Sequence, residues 1–242
     1  MPKPSILLVP RTQEVVEETA QQFRRLPLTI VPLGLFRVHF LHPVCPPFST
    51  FSGALATSKN GIQALARTHF PTHRPLGVVG KASEDYAHSL GYKNCLVSST
   101  GSAEGLLPLF KEHCEQHRDA HLLYSHGDKT RYALDTLFGG QGLKVTPLCT
   151  YRLEEQGKAR SVFLKHLLPQ PWGVVVLSLR VCGLLNTLFV KEKLQVALRE
   201  TRFFFLSETL AAQAHALIPS QKRVARHPTL DSLCEEISTY FL

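Results

Sequence analysis

The chain has 242 residues, which is enough for one large domain or two small ones. With 44% hydrophobic and 19% charged residues, it has the composition of a globular protein that can bury a core. Its 27 Lys and Arg against 19 Asp and Glu give a net charge of +8, which favours an acidic partner. The basic residues are spread along the chain without an aromatic-plus-basic RNA-binding motif, so nucleic-acid binding is supported by net charge alone.

The N-terminal apolar run is too short for a signal peptide, and no stretch approaches the ~20 apolar residues of a membrane span. We therefore expect a cytoplasmic protein with no membrane partner. Its six cysteines form no CxxC pair and should be reduced there. His113, Cys114 and His117 could place two imidazoles on one face of a predicted helix, as metal ligands sometimes lie. No further ligand is suitably spaced, so a solvated helix is expected rather than a metal site.

Apolar runs and helical periodicity predict alternating strands and helices from end to end. Strands are predicted at 5–10, 28–33, 35–41, 53–57, 76–80, 94–98, 120–125, 143–154, 172–178, 202–207 and within 222–228. Helices are predicted at 13–25, 59–70, 83–91, 102–117, 129–142, 161–169, 182–198, 208–217 and 230–241. Pro147 should mark a sheet edge or a break, and Thr229 should cap the last helix. The alternation is typical of α/β structure with parallel sheets, either one wide sheet or two narrower ones.

Several predicted strands end in a small polar residue just before a helix: SILLVPRT, ALATSKN, VVGKAS, LLYSHGDKT, VVVLSLR and FFFLSET. Parallel strands end at one edge of a sheet, where helix N termini offer unpaired N–H groups to anions. A single junction of this kind is equally an ordinary helix cap. Six of them favour a ligand with several carboxylates or phosphates. None has the glycine spacing of a nucleotide-binding loop.

Two of these segments, ALATSKNGIQAL and VVVLSLRVCGLL, are similar enough to suggest two related halves. In order and spacing, further motifs resemble the uroporphyrinogen-III synthase (HemD) family. These motifs are LLVPR (7–11), ATSKNGIQAL (56–65), VVGKAS (78–83), SAEGLL (102–107), the run 122–151, VVVLS (174–178), FFFLSETLAAQA (203–214) and KRVARHPTLDSLCEEI (222–237). The chain departs from the family where a Gly-Pro-x-Thr turn is replaced by Leu206-Ser207-Glu208-Thr209, which puts a carboxylate in a turn expected to bind carboxylates.

The resemblance implies two similar, doubly wound parallel-sheet domains joined by a two-stranded antiparallel connector. Residues 1–34 and 155–242 would form one domain and 39–148 the other, with connectors near 35–38 and 149–154. The cleft between them would hold hydroxymethylbilane, a linear tetrapyrrole that carries acetate and propionate groups. The implied reaction closes it to uroporphyrinogen III, with inversion of the terminal pyrrole ring and loss of water. No metal or organic cofactor is implied, and a monomer is expected.

Tyr151 matches the family's tyrosine and is the catalytic candidate. A tyrosine with a pKa near ~10 is protonated at neutral pH and can donate to the departing hydroxyl. A packed connector tyrosine is the alternative. The residues expected to bind substrate are Arg11, Thr57, Ser58, Lys59, Asn60, Lys81, Ser83, Ser102, Gly127, Arg131, Ser178, Ser207 and Thr209. Lys129 and Arg180 are further charge partners, although most of the cations also fit a solvated surface. Asn60 is expected to cap its helix.

A non-catalytic two-domain module that binds a small polyanion is the competing interpretation. Incubation with hydroxymethylbilane separates the two, because only the enzyme forms the type III isomer. Nucleic-acid binding, the third interpretation, predicts affinity that falls steeply with salt.

Overall fold

The computed structural model describes residues 5–115, 121–129, 133–168, 171–191, 193, 194, 196 and 198–241. Its strands are β1 (Ile6–Thr12), β2 (Thr29–Phe40), β3 (Gly53–Ala56), β4 (Leu76–Val79), β5 (Cys95–Ser98), β6 (His121–Gly127), β7 (Lys144–Glu155), β8 (Gly173–Val176), β9 (Arg202–Phe205) and β10 (Lys222–Val224). Its helices are α1 (Val16–Phe23), α2 (Lys59–Arg67), α3 (Lys81–Ser89), α4 (Leu106–Glu115), α5 (Leu134–Gly139), α6 (Ala159–Leu167), α7 (Leu179–Lys191), α8 (Glu208–Gln213) and α9 (Leu230–Phe241). Short 3₁₀ turns lie at Phe48–Thr50 and Pro219–Gln221.

The predicted α/β alternation is confirmed, but one strand boundary was wrong, because the separate strands expected at 28–33 and 35–41 form the single strand β2. Of the two alternatives for Pro147, a sheet edge or a break, the break is not found, since β7 is one continuous strand. Pro147 lies opposite Tyr124 of β6. A proline is tolerated there because its missing N–H can face away from the paired neighbour.

The chain folds into two compact units. Unit 1 comprises the residues up to Arg37 and from Glu154 onward, and unit 2 comprises Val38–Leu153. Strands β2 and β7 are the two segments in which the chain passes from one unit to the other. The connector boundaries and the interdomain cleft implied by the family resemblance remain predictions.

Unit 1 is a parallel sheet in the order β10-β9-β8-β1-β2. Side chains alternate between its two faces: Val174 and Val176 of β8 enter one core cluster and Val175 enters the other. The first cluster contains residues of α6, α7 and α8, and the second contains residues of α1 and α9. Helices therefore cover both faces, which explains why β1, β8 and β9 are largely apolar without alternation.

Unit 2 repeats the arrangement with the order β7-β6-β3-β4-β5, again all parallel. Ala54 and Ala56 of β3 pack into a cluster with residues of α2 and α3. Leu55, between them, packs into a second cluster with residues of α4 and α5. The described residues of each unit thus form a doubly wound sheet with a core on both faces.

The capping prediction for the last helix is confirmed, because Thr229 Oγ1 accepts a hydrogen bond from the Ser232 N–H at 3.2 Å. Helix α4, in contrast, begins at Leu106 and not at Ser102 as expected. Ser102 lies in the turn between β5 and α4, where its hydroxyl contacts Thr100 Oγ1 at 3.0 Å. Ser, Thr and Asn favour such local turn bonds over the helix interior, which explains the shorter helix.

Gly77→Ala should destabilise the protein by about 1–3 kcal/mol, as overpacking of a filled core does. An added Cβ at Gly77 would lie 2.5 Å from Phe110 Cε2 and 2.8 Å from Leu55 Cδ2, both buried. The matched control is Gly183→Ala in α7, where an added Cβ meets nothing within 4 Å. Because alanine favours a helix by roughly 0.5–1 kcal/mol over glycine, the control should be as stable as wild type or more so. Urea unfolding followed by circular dichroism measures both, and equal midpoints would contradict the expectation.

Candidate functional site

All five strands of unit 2 run parallel, so they end at one edge of the sheet, which we call the carboxyl edge of unit 2. Ala56 of β3 is in register with Val78 of β4 and with Ser125 of β6. Residues that follow strands far apart in sequence are thereby brought to the same edge. Of the residues predicted for the site, this edge carries Thr57, Ser58, Lys59, Asn60, Lys81, Ser83, Ser102, Gly127 and Tyr151.

Tyr151 and Ser58 meet at this edge. The Tyr151 Oη and Ser58 Oγ atoms are 3.0 Å apart, and either hydroxyl can donate. Ser58 is the N-cap of α2, and its Oγ also accepts from the Gly61 N–H at 3.1 Å. The catalytic candidate is therefore hydrogen-bonded to the first turn of a helix, where unpaired N–H groups and the positive end of the helix dipole favour negative charge.

Gly127 provides the space that the Tyr151 ring occupies. The two residues are in register across β6 and β7, beside an irregularity after His126. A Cβ at Gly127 would lie 2.7 Å from Tyr151 Cε2 and 3.0 Å from its Oη. Such a contact is too close for any real side chain, so Gly127, which was predicted to bind substrate, makes room for the candidate catalytic side chain.

The surroundings of Tyr151 raise its pKa above the ordinary tyrosine value, chiefly because burial penalises the phenolate. The hydrogen bond from Ser58 opposes this effect, while the charge of Asp128 adds to it. Tyr151 is consequently a neutral O–H donor across the physiological pH range.

Beneath the Ser58–Tyr151 pair lies a buried polar cluster that sequence reasoning missed. Ser125 Oγ donates to the Gly61 carbonyl at 2.9 Å and contacts Thr150 Oγ1 at 2.7 Å. Ser125 is 1% exposed and Thr150 is fully buried. Both residues lie within strands, at positions where apolar residues are expected. A hydroxyl side chain at such a position could have predicted a hydrogen-bonded cluster, because buried hydroxyls need partners.

Hydroxyl groups also line the turn between β5 and α4. Ser98 Oγ, Thr100 Oγ1 and Ser102 Oγ form a row with separations of 3.2 and 3.0 Å. Gly105 packs against this row, because a Cβ there would lie 2.3 Å from both Ser98 Oγ and Thr100 Oγ1. Ser102 is therefore part of the carboxyl edge, although not as a helix cap.

The lysines of this edge are engaged with neighbouring side chains. Lys81 Nζ lies 2.9 Å from Glu84 and 3.0 Å from Asp85, and the lysine side chain is largely exposed. Lys59 Nζ lies 5.6 Å from the centre of the Tyr86 ring. Ser83 is inside α3, whose N-cap is Gly80 at φ 78°. Lys81 thus forms a surface ion pair with its own helix in this structure.

Two predictions for this region need correction or lie outside the structure. Asn60 does not cap α2: it is the second residue of the helix, and Ser58 is the cap. Ser58 takes that position because its extended backbone directs Oγ at the Gly61 N–H, which a residue inside the helix cannot do. Arg131 lies outside the described residues, and Lys129 is exposed just after β6.

The strands of unit 1 also end at one edge, with Arg11 near the end of β1 and Ser178 and Ser207 each two residues past the ends of β8 and β9. Ser178 Oγ accepts from the Val181 N–H, and Ser207 Oγ from the Leu210 N–H, both at 3.4 Å. Ser58 and Ser178 thus play the same capping role in the two sequence segments that resemble each other. Arg180 and Thr209 lie in the first turns that follow these caps.

Arg11 is the most unusual cation of unit 1. Its Nε is buried and has no hydrogen-bond partner in the described part of the chain. Burial lowers the pKa of its guanidinium, with Glu18 opposing that effect. A buried donor of a charged group without a partner is costly, and an anionic ligand would satisfy it.

A groove of about 550 Å³ beside α9 lies apart from these strand ends. It is lined by Arg25, Leu26, Asp231, Cys234, Glu235, Ser238 and Thr239. Arg25 Nη2 is 2.6 Å from Asp231 Oδ1, so the guanidinium is already paired and the groove is not the best anion site.

Within the described residues no cluster of three or more His, Cys, Asp or Glu is arranged to hold a metal ion. No helix among them is long and apolar enough to cross a membrane.

Together, the parallel sheets and the hydroxyl-capped helices at their carboxyl edges define an open-sheet α/β protein of the class that places its ligands at strand ends. Within this class, the family model described as Uroporphyrinogen-III synthase HemD matches residues 17–235. The chain therefore belongs to the uroporphyrinogen-III synthase HemD family, as the sequence resemblance predicted.

Two solved structures share the fold. Uroporphyrinogen-III synthetase from Helicobacter pylori is 15% identical with a TM-score of 0.66, over 98% of this chain and 99% of that one. A mutant uroporphyrinogen III synthase from the extremely thermophilic bacterium Thermus thermophilus is also 15% identical, with a TM-score of 0.57 over 98% of each chain. Comparison with curated proteins found no match.

Ionisation of Tyr151 should lower the free energy of unfolding of the protein as the pH becomes alkaline. Because its folded-state pKa is raised, its contribution is complete below the unfolded value of about 10 and is lost as the pH rises through the folded value. Urea unfolding at neutral pH and above pH ~10 should show a steeper alkaline loss for wild type than for Tyr151→Phe. Tyr92, whose pKa is also raised by burial, contributes equally to both proteins. Parallel pH profiles would contradict the expectation.

Proposed function

We propose that the protein is an active uroporphyrinogen-III synthase, which converts hydroxymethylbilane to uroporphyrinogen III. The carrying observation is the Tyr151–Ser58 contact at a helix N terminus, on the family-matched segments of unit 2. It gives a proton donor next to a region that favours anions, as a linear polycarboxylate with a departing hydroxyl requires. At this level of identity the solved structures support the fold alone, so the activity is supported by the family and by this contact.

In the proposed first step, Tyr151 gives its proton to the terminal hydroxyl of the substrate. The carbon–oxygen bond breaks with its electron pair on oxygen, water leaves, and an azafulvene cation remains. The last pyrrole ring attacks through its substituted carbon, passes through a spiro intermediate and closes inverted. The closed ring then loses one proton, which restores the neutral tyrosine, so water is the sole by-product.

The protein must also hold the flexible polyanionic substrate in the conformation from which the terminal pyrrole ring closes in the inverted orientation. The first turns of α2 and α7 supply backbone N–H groups for carboxylates, and the capping hydroxyls of Ser58 and Ser178 allow close approach. Helix α8 contributes less, because it has six residues and begins with Glu208. Single serine-to-alanine changes should therefore have small effects on binding, since the backbone donors stay.

Arg11 is the proposed charged partner of a substrate carboxylate in unit 1. Its buried, unpartnered Nε would gain a charge-assisted hydrogen bond, the stronger kind, when the anion arrives. Lys81 is a weaker candidate because it already contacts two carboxylates.

Purified protein incubated with hydroxymethylbilane should yield predominantly the type III isomer, as resolved by chromatography of the oxidised products. Tyr151→Phe should reduce turnover more than about tenfold, because general-acid catalysis contributes roughly 10²–10⁴-fold. Tyr92→Phe is the matched control: Tyr92 is a fully buried tyrosine of the same unit whose Oη has no partner in the described chain. Removal of the Tyr92 hydroxyl should leave turnover within about twofold of wild type.

Two outcomes would count against this proposal. Binding of hydroxymethylbilane with only the spontaneous, uninverted isomer as product would favour the non-catalytic polyanion-binding module. Turnover of Tyr151→Phe within a factor of about two of wild type would remove Tyr151 as the proton donor, given the size of general-acid effects.

Arg11→Met should separate substrate binding from stability. The change keeps an unbranched stem and removes a buried Nε–H that has no hydrogen-bond partner in the described chain, so the unliganded protein should be as stable as wild type or more so. The KM for hydroxymethylbilane should rise about tenfold, as expected for loss of a charge-assisted hydrogen bond worth ~1.5–3 kcal/mol. An unchanged KM would show that Arg11 does not contact the substrate. Thermal unfolding and steady-state kinetics on the same samples give both values.

A further inference from the structure

We propose that Ser125 and Thr150 are positioning residues that lock the first turn of α2 in place and so hold Ser58 against Tyr151. This inference rests on the proposed function for its kinetic part. Its structural part concerns only the hydrogen bonds within unit 2 and can be tested without turnover. Neither residue is among those that the sequence predicted to bind substrate or to take part in catalysis.

The contacts form a continuous path through five residues. Ser125 Oγ bonds the Gly61 carbonyl at 2.9 Å, and the Gly61 N–H bonds Ser58 Oγ at 3.1 Å. Ser58 Oγ in turn lies 3.0 Å from Tyr151 Oη. Thr150, the residue before Tyr151, lies 2.7 Å from Ser125 Oγ and 3.3 Å from the His126 carbonyl. Both backbone groups of Gly61 are therefore hydrogen-bonded, the carbonyl to Ser125 of strand β6 and the N–H to the helix cap Ser58.

Counting protons shows which way the bonds run. Ser125 has one O–H, which it donates to the Gly61 carbonyl, so Ser125 accepts at its contact with Thr150. Thr150 also has one O–H, and it is directed at Ser125 Oγ at 2.7 Å in preference to the His126 carbonyl at 3.3 Å. Ser58 accepts from Gly61, which leaves its own O–H free to point at Tyr151 Oη. When Tyr151 gives up its proton, Ser58 can therefore donate to the resulting phenolate, provided that the α2 turn does not move.

Steric fit makes this path tight. A Cβ on Gly61 would lie 2.9 Å from the Ser125 carbonyl oxygen, so the helix turn packs directly on the β6 backbone. Ser125 and Thr150 are both buried, and a hydroxyl buried in an apolar core is costly unless it is bonded. The capping serines of unit 1 offer a contrast. Ser178 and Ser207 accept from the backbone at a longer 3.4 Å, and in the described residues neither bonds to a second side chain.

The central experiment replaces Thr150 with valine, which has the same shape and no hydroxyl, and with serine, which restores it. Thr150→Val should lower kcat about tenfold with KM within about twofold, because misplacement of a catalytic group affects the transition state rather than binding. Thr150→Ser should recover most of kcat. Thr201→Val is the matched control: Thr201 is a fully buried threonine of unit 1 whose hydroxyl bonds the Pro171 carbonyl at 3.0 Å. It should lose stability without a change in kcat.

A second readout does not need turnover. Tyrosine ¹³Cζ NMR over an alkaline titration reports the ionisation of Tyr151, assigned by its absence in Tyr151→Phe. Because the Ser58 hydrogen bond lowers the pKa of Tyr151, Ser58→Ala should raise it, and Thr150→Val and Ser125→Ala should raise it in the same direction. Thr229→Ala removes an N-cap in unit 1 and should leave this titration unchanged.

Each result assigns success or failure to one proposal. A titration of Tyr151 in Thr150→Val that coincides with wild type, while Ser58→Ala shifts it, would overturn the positioning role. So would a kcat that valine and serine lower equally. If wild-type protein forms no type III isomer and the titration still shifts as expected, the proposed activity fails and the positioning path stands.

Discussion

The structure depends on one constraint, the parallel pairing of its strands. Parallel register forces every strand of a unit to end at the same edge and every following helix to begin there. In unit 2 this brings Ser58, Gly127 and Tyr151 together although 93 positions separate the first from the last. An antiparallel arrangement of the same strands would place alternate junctions at opposite edges, and these residues would not meet.

Much of this could be predicted from the sequence. Short apolar strands buried on both faces are visible in runs such as WGVVVLS, and a serine at the end of a strand predicts both the helix start and its cap. Ser58, Ser178 and Ser207 confirm that pattern. It fails at Ser102 and Asn60, because hydroxyl and amide side chains serve turns, caps and helix interiors alike, and only the backbone angles decide between them. Position in a motif predicted Tyr151 as the catalytic candidate, but nothing near it in sequence indicated Ser58 as its hydrogen-bond partner.

The features that the sequence did not predict depend on tertiary contacts. Ser125 and Thr150 lie in strands and meet across a ladder, so no window of sequence contains both. The role of Gly127 likewise follows from the ring packed on it, which a single-sequence pattern does not reveal. The unpartnered Nε of Arg11 is a third case, since neither its burial nor its lack of a hydrogen-bond partner is visible in the residues around it in sequence. Under the proposed function, these tertiary features are the ones that would give a generic strand-end anion site a defined proton donor and a defined charge.

The order of segments in unit 1 has a consequence for biosynthesis. Strand β1 pairs with β2 on one side and with β8 on the other, but Gly173 emerges from the ribosome more than 130 residues after Arg37. At typical synthesis rates of about 5–20 residues per second, the nascent β1 therefore waits on the order of ten seconds with one edge unpaired. Unit 2 is continuous in sequence and is complete during that interval. Substitutions that expose more apolar surface on β1 should thus reduce the yield of folded protein in the cell more than they reduce the stability of the finished molecule.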